Sequence, residues 1–231
     1  MNYNKQIIIA LDFSTEKACL DFLKDIDPDR CRVKVGKELF TRCGPDLIRK
    51  ISAEGYEIFL DLKFHDIPNT VAGALKAAAD LGVWMVNVHA SGGKAMLDAS
   101  REALNFKEAP LLIAVTVLTS LGSEDLTEIG VSRNSQQQVQ LLADLSVNSG
   151  LDGVVCSAQE TDFLRSQCPI EFKLVTPGIR PKGDSVDDQK RVVTPRSALE
   201  QGSDFLVMGR PITQTNNPSV KLDSIIQDIE S

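Results

Sequence analysis

The sequence predicts an α/β fold, a (β/α)8 TIM barrel forming one domain over residues 1–231, and three observations carry the prediction. First, short continuous apolar runs alternate with helix-competent segments along the whole chain, and eight such units follow one another without a composition break. Continuous apolar runs fit parallel strands covered on both faces, not the in–out alternation of a half-solvated strand. Second, this alternation allows an open doubly wound sheet or a closed barrel. Eight units in 231 residues match the usual barrel length, and no G-x-G-x-x-G follows the first run, which weakens the dinucleotide-binding open sheet. Third, charged residues recur at the C-terminal ends of the runs, the end at which barrels carry their chemistry.

Ile7-Ile8-Ile9-Ala10-Leu11-Asp12 is the first strand, and Ser14 and Thr15 offer hydroxyl caps for a helix reaching about residue 25. Arg32-Val33-Lys34-Val35-Gly36 is the second, with Lys34 breaking its apolar pattern; Pro45 then opens a helix that Gly55 ends. Ile58-Phe59-Leu60 begins the third and runs into Asp61-Leu62-Lys63-Phe64-His65-Asp66, after which Asn69 is expected to cap a helix over 70–81. The fourth is Met85 to Ala90, followed by Ser91-Gly92-Gly93 and a helix; the fifth is Leu111 to Thr119. A polar connection leads to a helix over 135–148, then the sixth strand, Gly153 to Ser157. A helix around 161–166 leads to the seventh, Phe172 to Thr176, which ends at Pro177-Gly178-Ile179-Arg180. Pro181-Lys182-Gly183-Asp184-Ser185 lacks periodicity and reads as a mobile loop. A helix over 195–201, an eighth strand from Phe205 to Arg210 and a last helix over 218–229 complete the chain.

Composition narrows the function. The chain is 42% hydrophobic and 25% charged, ordinary for a globular protein with a sizeable core. Its net charge of −7 argues against general binding to nucleic acid or an anionic membrane. An anionic ligand must therefore be held by a local group of cations and backbone N–H groups. The cysteines, Cys19, Cys31, Cys43, Cys156 and Cys168, are odd in number and never spaced C-x-x-C, which suggests neither a disulfide framework nor a zinc site. The N-terminus runs straight into a strand, and no stretch is long enough to cross a bilayer, so the expected location is cytoplasmic.

The third strand carries the densest chemistry. Unpaired charge in a low-dielectric strand is costly, yet two acids and a lysine fall within six positions here. Regular alternation puts Asp61 and Lys63 on one face. Two readings stand: a salt-bridged strand end, or a lysine held cationic by carboxylates at the mouth of a barrel. Asp12, Lys34, His89, Thr119, Arg180 and Arg210 fall at the same rim. Arg180 and Arg210, each near a glycine after strands seven and eight, suit a phosphate. Lys34 and Lys63 among Asp12, Asp61 and Asp66 disfavour a divalent metal. His65 reads as a packing or local hydrogen-bonding residue, and His89 as a hydrogen-bonding residue of the rim.

These motifs resemble the orotidine 5′-phosphate decarboxylase family in its short bacterial type. The resemblance rests on Asp61-Leu62-Lys63-Phe64-His65-Asp66-Ile67-Pro68-Asn69-Thr70, Lys34-Val35-Gly36, Val88-His89-Ala90-Ser91-Gly92-Gly93, Val117-Leu118-Thr119-Ser120, Thr176-Pro177-Gly178-Ile179-Arg180-Pro181, Asp188-Gln189-Lys190-Arg191-Val192-Val193-Thr194-Pro195 and Gly209-Arg210-Pro211-Ile212-Thr213. It implies a cofactor-free conversion of orotidine 5′-monophosphate to UMP, the last step of pyrimidine nucleotide synthesis; the charge pattern above adds the expectation of no metal and no nucleic acid or membrane partner. On that resemblance Lys63 protonates C6, Asp61 faces the substrate carboxylate, and Lys34 with Asp12 holds the ribose. Asp66, Ile67 and Thr70 reach across a homodimer into the neighbouring site. Pro177, Arg180, Gly209 and Arg210 surround the 5′-phosphate, Gln189 closes over phosphate and base, and Thr119 with Ser120 meets the pyrimidine. Two alternatives remain: a metal-dependent sugar-phosphate enzyme of the same barrel type, such as a hexulose-phosphate synthase or keto-gulonate-phosphate decarboxylase, and a non-catalytic nucleotide-binding scaffold.

Overall fold

The computed structural model describes residues 5–182 and 193–231. Eight parallel strands pair in chain order and close on themselves, with the first beside the last. They are β1 (Ile7–Ala10), β2 (Arg32–Gly36), β3 (Ile58–Phe64), β4 (Met85–His89), β5 (Leu111–Val115), β6 (Gly153–Val155), β7 (Lys173–Pro177) and β8 (Phe205–Met208). The helices are α1 (Glu16–Leu23), α2 (Lys37–Cys43), α3 (Pro45–Ala53), α4 (Pro68–Ala79), α5 (Lys94–Ala103), α6 (Ser123–Glu128), α7 (Ser135–Asn148), α8 (Thr161–Gln167), α9 (Pro195–Glu200), α10 (Arg210–Thr213) and α11 (Pro218–Glu230). This is the (β/α)8 barrel that the alternation of apolar runs predicts.

Strand pleating divides the core in two. Along β1, Ile7, Ile9 and Leu11 pack outward against the helix layer, whereas Ile8 and Ala10 point into the barrel with Phe59, Met85, Ile113, Val175 and Val207. Both sets are apolar, which is why the strands read as continuous runs. On β2, Val33 and Val35 belong to the outer layer. Lys34 alternates with them and therefore points inward, where it is 9% exposed, level with Ala10 on β1 and Phe59 on β3. The break in the apolar pattern of β2 is thus a cation inside the barrel.

Several boundaries differ from expectation, each for a local reason. The helix after β3 starts at Pro68, and Ile67 is its N-cap, with no side-chain cap. Asn69 lies inside the first turn instead of capping it, because proline at the first helical position already lacks the N–H a cap would satisfy. The fifth strand stops at Val115, and a turn closed by the Leu121 N–H to Leu118 carbonyl bond (2.9 Å) carries Thr119 beyond the sheet. The eighth stops at Met208, and Gly209 turns the chain into the short α10, which takes Arg210 out of the strand. Thr15 caps α1 through its hydroxyl, accepting the Ala18 N–H at 3.2 Å, as expected. No helix of the described residues is long and apolar enough to cross a membrane.

Candidate active site

The carboxyl ends of the strands surround a cavity of about 290 Å³. Its wall includes Asp12, Lys34, Asp61, Lys63, Thr119, Pro177, Arg180, Gly209 and Arg210, so nine of the expected site residues meet in one place. Its apolar floor is made by Phe59, Val115, Val155 and Val207, three of them β-branched residues that fill a barrel interior well. Asp66, Ile67, Thr70 and Ser120 are exposed and do not reach this cavity within one chain. Gln189 lies outside the described residues.

The acids and lysines form a chain of alternating charge. The Lys34 ammonium lies 3.5 Å from Asp12 Oδ1 and 3.3 Å from Asp61 Oδ2, and the Lys63 ammonium lies 2.5 Å from Asp61 Oδ1. Asp61 is thus shared by two cations, one on each of its oxygens. Burial alone would raise its carboxyl pKa, but the Lys34 and Lys63 charges, with hydrogen bonds from Lys63 and Asn87, hold it below the ordinary carboxylate range. Asp66 takes no part in this chain; its Oδ1 accepts the Ile67 N–H at 2.7 Å.

The pairing of Asp61 with Lys63 does not arise from regular alternation. Lys63 has φ +53°, in the left-handed region, which costs a non-glycine residue about 1–2 kcal/mol. The register jumps at the same place: Leu60 pairs with Val86 and Phe64 with Val88, leaving Asp61, Leu62 and Lys63 opposite the single residue Asn87. This is a bulge, a device that re-aims side chains near active sites. Asn87 is fully buried and uses both ends of its amide here: Oδ1 accepts the Lys63 N–H at 2.8 Å, and Nδ2 donates to Asp61 Oδ1 at 2.7 Å. Sequence reading passed over Asn87. Its only signal is one amide within the apolar run Met85-Val86-Asn87-Val88.

The anion end is built by β7 and β8. Gly178 has φ +79°, and that left-handed turn, open to glycine without strain, leads from β7 to Arg180. The Arg180 N–H donates to the Val193 carbonyl at 3.1 Å, and its guanidinium donates to the Ile179 carbonyl at 3.0 Å. Arg180 is consequently only 5% exposed while still bordering the cavity. Arg210 opens α10 on the same wall.

At the edge of the site His65 and His89 lie ring to ring, with centroids 5.5 Å apart. Burial, then the His65 ring and the Lys37 and Lys63 ammoniums, pushes the His89 imidazole below its ordinary value, which favours a neutral hydrogen-bonding ring. Four of the five cysteines are buried; burial pushes the Cys19 and Cys31 thiols up to about 12, where they are poor nucleophiles. Among the described residues no group of three or more His, Cys, Asp or Glu side chains is placed to hold a metal ion.

A sequence model of the "Orotidine 5′-phosphate decarboxylase / HUMPS family" matches residues 5–225. The chain is 56% identical over 225 residues to an orotidine 5′-phosphate decarboxylase of Saccharophagus degradans, covering 97% of this chain and 94% of the relative. It is 57% identical over 224 residues to that of Vibrio atlanticus, covering 96% and 97%. The crystal structure of orotidine 5′-phosphate decarboxylase from Lactobacillus acidophilus superposes with a TM-score of 0.88 at 39% identity, over 98% of this chain and all of the other.

Proposed function

The chain belongs to the orotidine 5′-phosphate decarboxylase / HUMPS family, and from that premise we propose how its charged rim converts orotidine 5′-monophosphate to UMP and CO2 in pyrimidine nucleotide synthesis. The observation that carries the reading is the Asp12–Lys34–Asp61–Lys63 chain of charges facing a cavity that also contains Arg180 and Arg210. The two arginines hold the 5′-phosphate, Pro177 and Gly209 shape its pocket, Lys34 and Asp12 hold the ribose, and Thr119 and Ser120 approach the pyrimidine. The bond between C6 and the carboxylate carbon breaks, its electron pair stays on C6, and CO2 departs. That pair lies in the ring plane, where resonance relieves it little. The Lys63 ammonium, already in place beside Asp61, stabilises the developing charge and delivers a proton to C6. Solvent then reprotonates Lys63. Phosphate binding is remote from the breaking bond but fixes the reacting geometry.

The reaction so written needs no cofactor or metal. Asp12 and Asp61 are already engaged by ammonium groups at 3.5 Å or closer, which disfavours a divalent ion there. This separates the reading from the metal-dependent sugar-phosphate alternative.

The active form in this reading is a homodimer working in the cytoplasm, in which Asp66, Ile67 and Thr70 complete the neighbouring site. Ile67 is 67% exposed at the rim, and Phe40, Leu62 and Phe64 line an apolar groove among α2, β3 and α4 nearby. Such surface suits burial against a second copy. The test is Lys63→Ala: loss of OMP absorbance should slow by at least about 10³-fold while the thermal midpoint holds. Near-normal turnover in that variant would sink the assignment. Mixing Lys63→Ala with Asp66→Asn should restore part of the activity if sites are shared, and no gain over the separate variants would refute the sharing.

A further inference from the structure

The roles above leave Asn87 unused, although it is fully buried and touches both members of the reacting pair. In a regular parallel ladder the N–H of a β3 residue finds a carbonyl of the β4 backbone. The bulge at 61–63 removes Lys63 from that register, because three residues face one. The Asn87 side chain supplies the missing acceptor, and its amide group reaches Asp61 Oδ1, the same oxygen that Lys63 Nζ contacts. The amide orientation follows from its partners: turned over, it would set N–H against N–H at Lys63 and oxygen against oxygen at Asp61.

We propose that Asn87 is a positioning residue of the decarboxylation, one amide clamp that both locks the left-handed turn carrying Lys63 and aims the Asp61 carboxylate at the Lys63 ammonium. The inference rests on the reading of Lys63 and Asp61 as the reacting pair. Its content is that their separation is set by the side chain of a third residue and not by strand geometry. A rigid donor–acceptor on a central strand is well suited to this, since small misplacements of reacting groups are expensive in rate. The clamp touches neither the phosphate arginines nor the ribose-binding pair Asp12 and Lys34, so binding and chemistry should separate when it is removed.

The experiment measures kcat on orotidine 5′-monophosphate and the dissociation constant for UMP, in Asn87→Ala and Asn87→Asp. Asn87→Ala should lower kcat about 100-fold while UMP affinity changes by less than about threefold. Asn87→Asp keeps the acceptor for the Lys63 N–H but sets a second carboxyl against Asp61, and such a pair shares one proton with a raised pKa. When the new carboxyl is protonated it reproduces the donor and acceptor of the amide. Its kcat relative to wild type should therefore climb as pH falls from about 8 to about 5, a recovery that mere packing at this position does not produce. Asn87→Ala within about threefold of wild type, a pH-independent ratio for Asn87→Asp, or parallel loss of kcat and UMP affinity in both variants each overturn the clamp. If Asn87→Ala does not fold, the pH series of Asn87→Asp decides alone. Should wild type itself fail to turn over the substrate, the decarboxylase reading fails first and is seen to fail separately.

Discussion

The two ends of the barrel carry ion pairs of similar appearance and opposite consequence. At the amino end the Arg32 guanidinium lies 4.0 Å from the Trp84 ring centroid and 5.3 Å from that of Phe205, with Glu57 at 3.2 Å. Asp204 accepts the Leu174 N–H at 2.8 Å and pairs with Arg165; Asp152 accepts the Leu112 N–H at 2.7 Å and pairs with Arg101. These charges close on rings and on backbone: Arg32 covers the Trp84 and Phe205 rings that pack against the barrel interior, and the other two pairs tie helices α8 and α5 to the strand starts. At the carboxyl end Lys34, Asp61 and Lys63 also pair, but along the wall of a cavity that contains Arg180 and Arg210. A buried ion pair is weak evidence of stabilisation in itself. What separates the two ends is whether the charges face protein or a space that a substrate can fill.

Variants at the two ends should therefore fail differently. Beyond the reacting pair and its clamp, the largest effect is expected from Arg210→Ala. Losing charge-assisted contacts to a phosphate, about 1.5–3 kcal/mol, raises KM for orotidine 5′-monophosphate about 10- to 100-fold with little change in thermal midpoint. An unchanged KM would remove Arg210 from the anion site. Next is Arg32→Ala, which strips a cation from Trp84 and leaves Glu57 without that partner. About 2 kcal/mol is expected, a fall of roughly 4–8 °C in thermal midpoint for a chain of this size, with kcat retained below the transition. A kinetic defect without loss of stability would erase the distinction between the ends. The smallest effect concerns pH. The folded pKa of Asp61 is depressed below its ordinary 3.8, so the stability its ionisation contributes is complete above that value and is lost as pH falls through the folded value. The stability difference between wild type and Asp61→Asn should stay constant near neutrality and narrow only in acid; narrowing near pH 7 would contradict the assignment.

The barrel was legible because its strands are buried on both faces and its connections are helical. Less legible were α2, α6 and α10, of seven, six and four residues. They are too short to show a helical period, and their placement depends on the barrel they pack against. Charge at strand ends pointed to the rim. Lys34 stood out because a cation inside an apolar run is costly unless opposite charge meets it there, and Asp12 and Asp61 do. The third strand shows the limit. Alternation paired Asp61 with Lys63, and they do meet, but through a left-handed turn and a register jump that pleating cannot encode. The residue that organises this bulge, Asn87, looks in the sequence like a blemish in a strand. A long-range hydrogen bond leaves no periodic trace, whereas a strand or an amphipathic helix does.

The central claim is that a lysine–carboxylate rim, and no bound metal, carries the reaction. Its most direct test is the loss of absorbance of orotidine 5′-monophosphate with the wild-type protein after exhaustive dialysis against EDTA. The account predicts the same rate of UMP formation with and without the chelator. Turnover that vanishes with EDTA and returns on adding a divalent ion would contradict it.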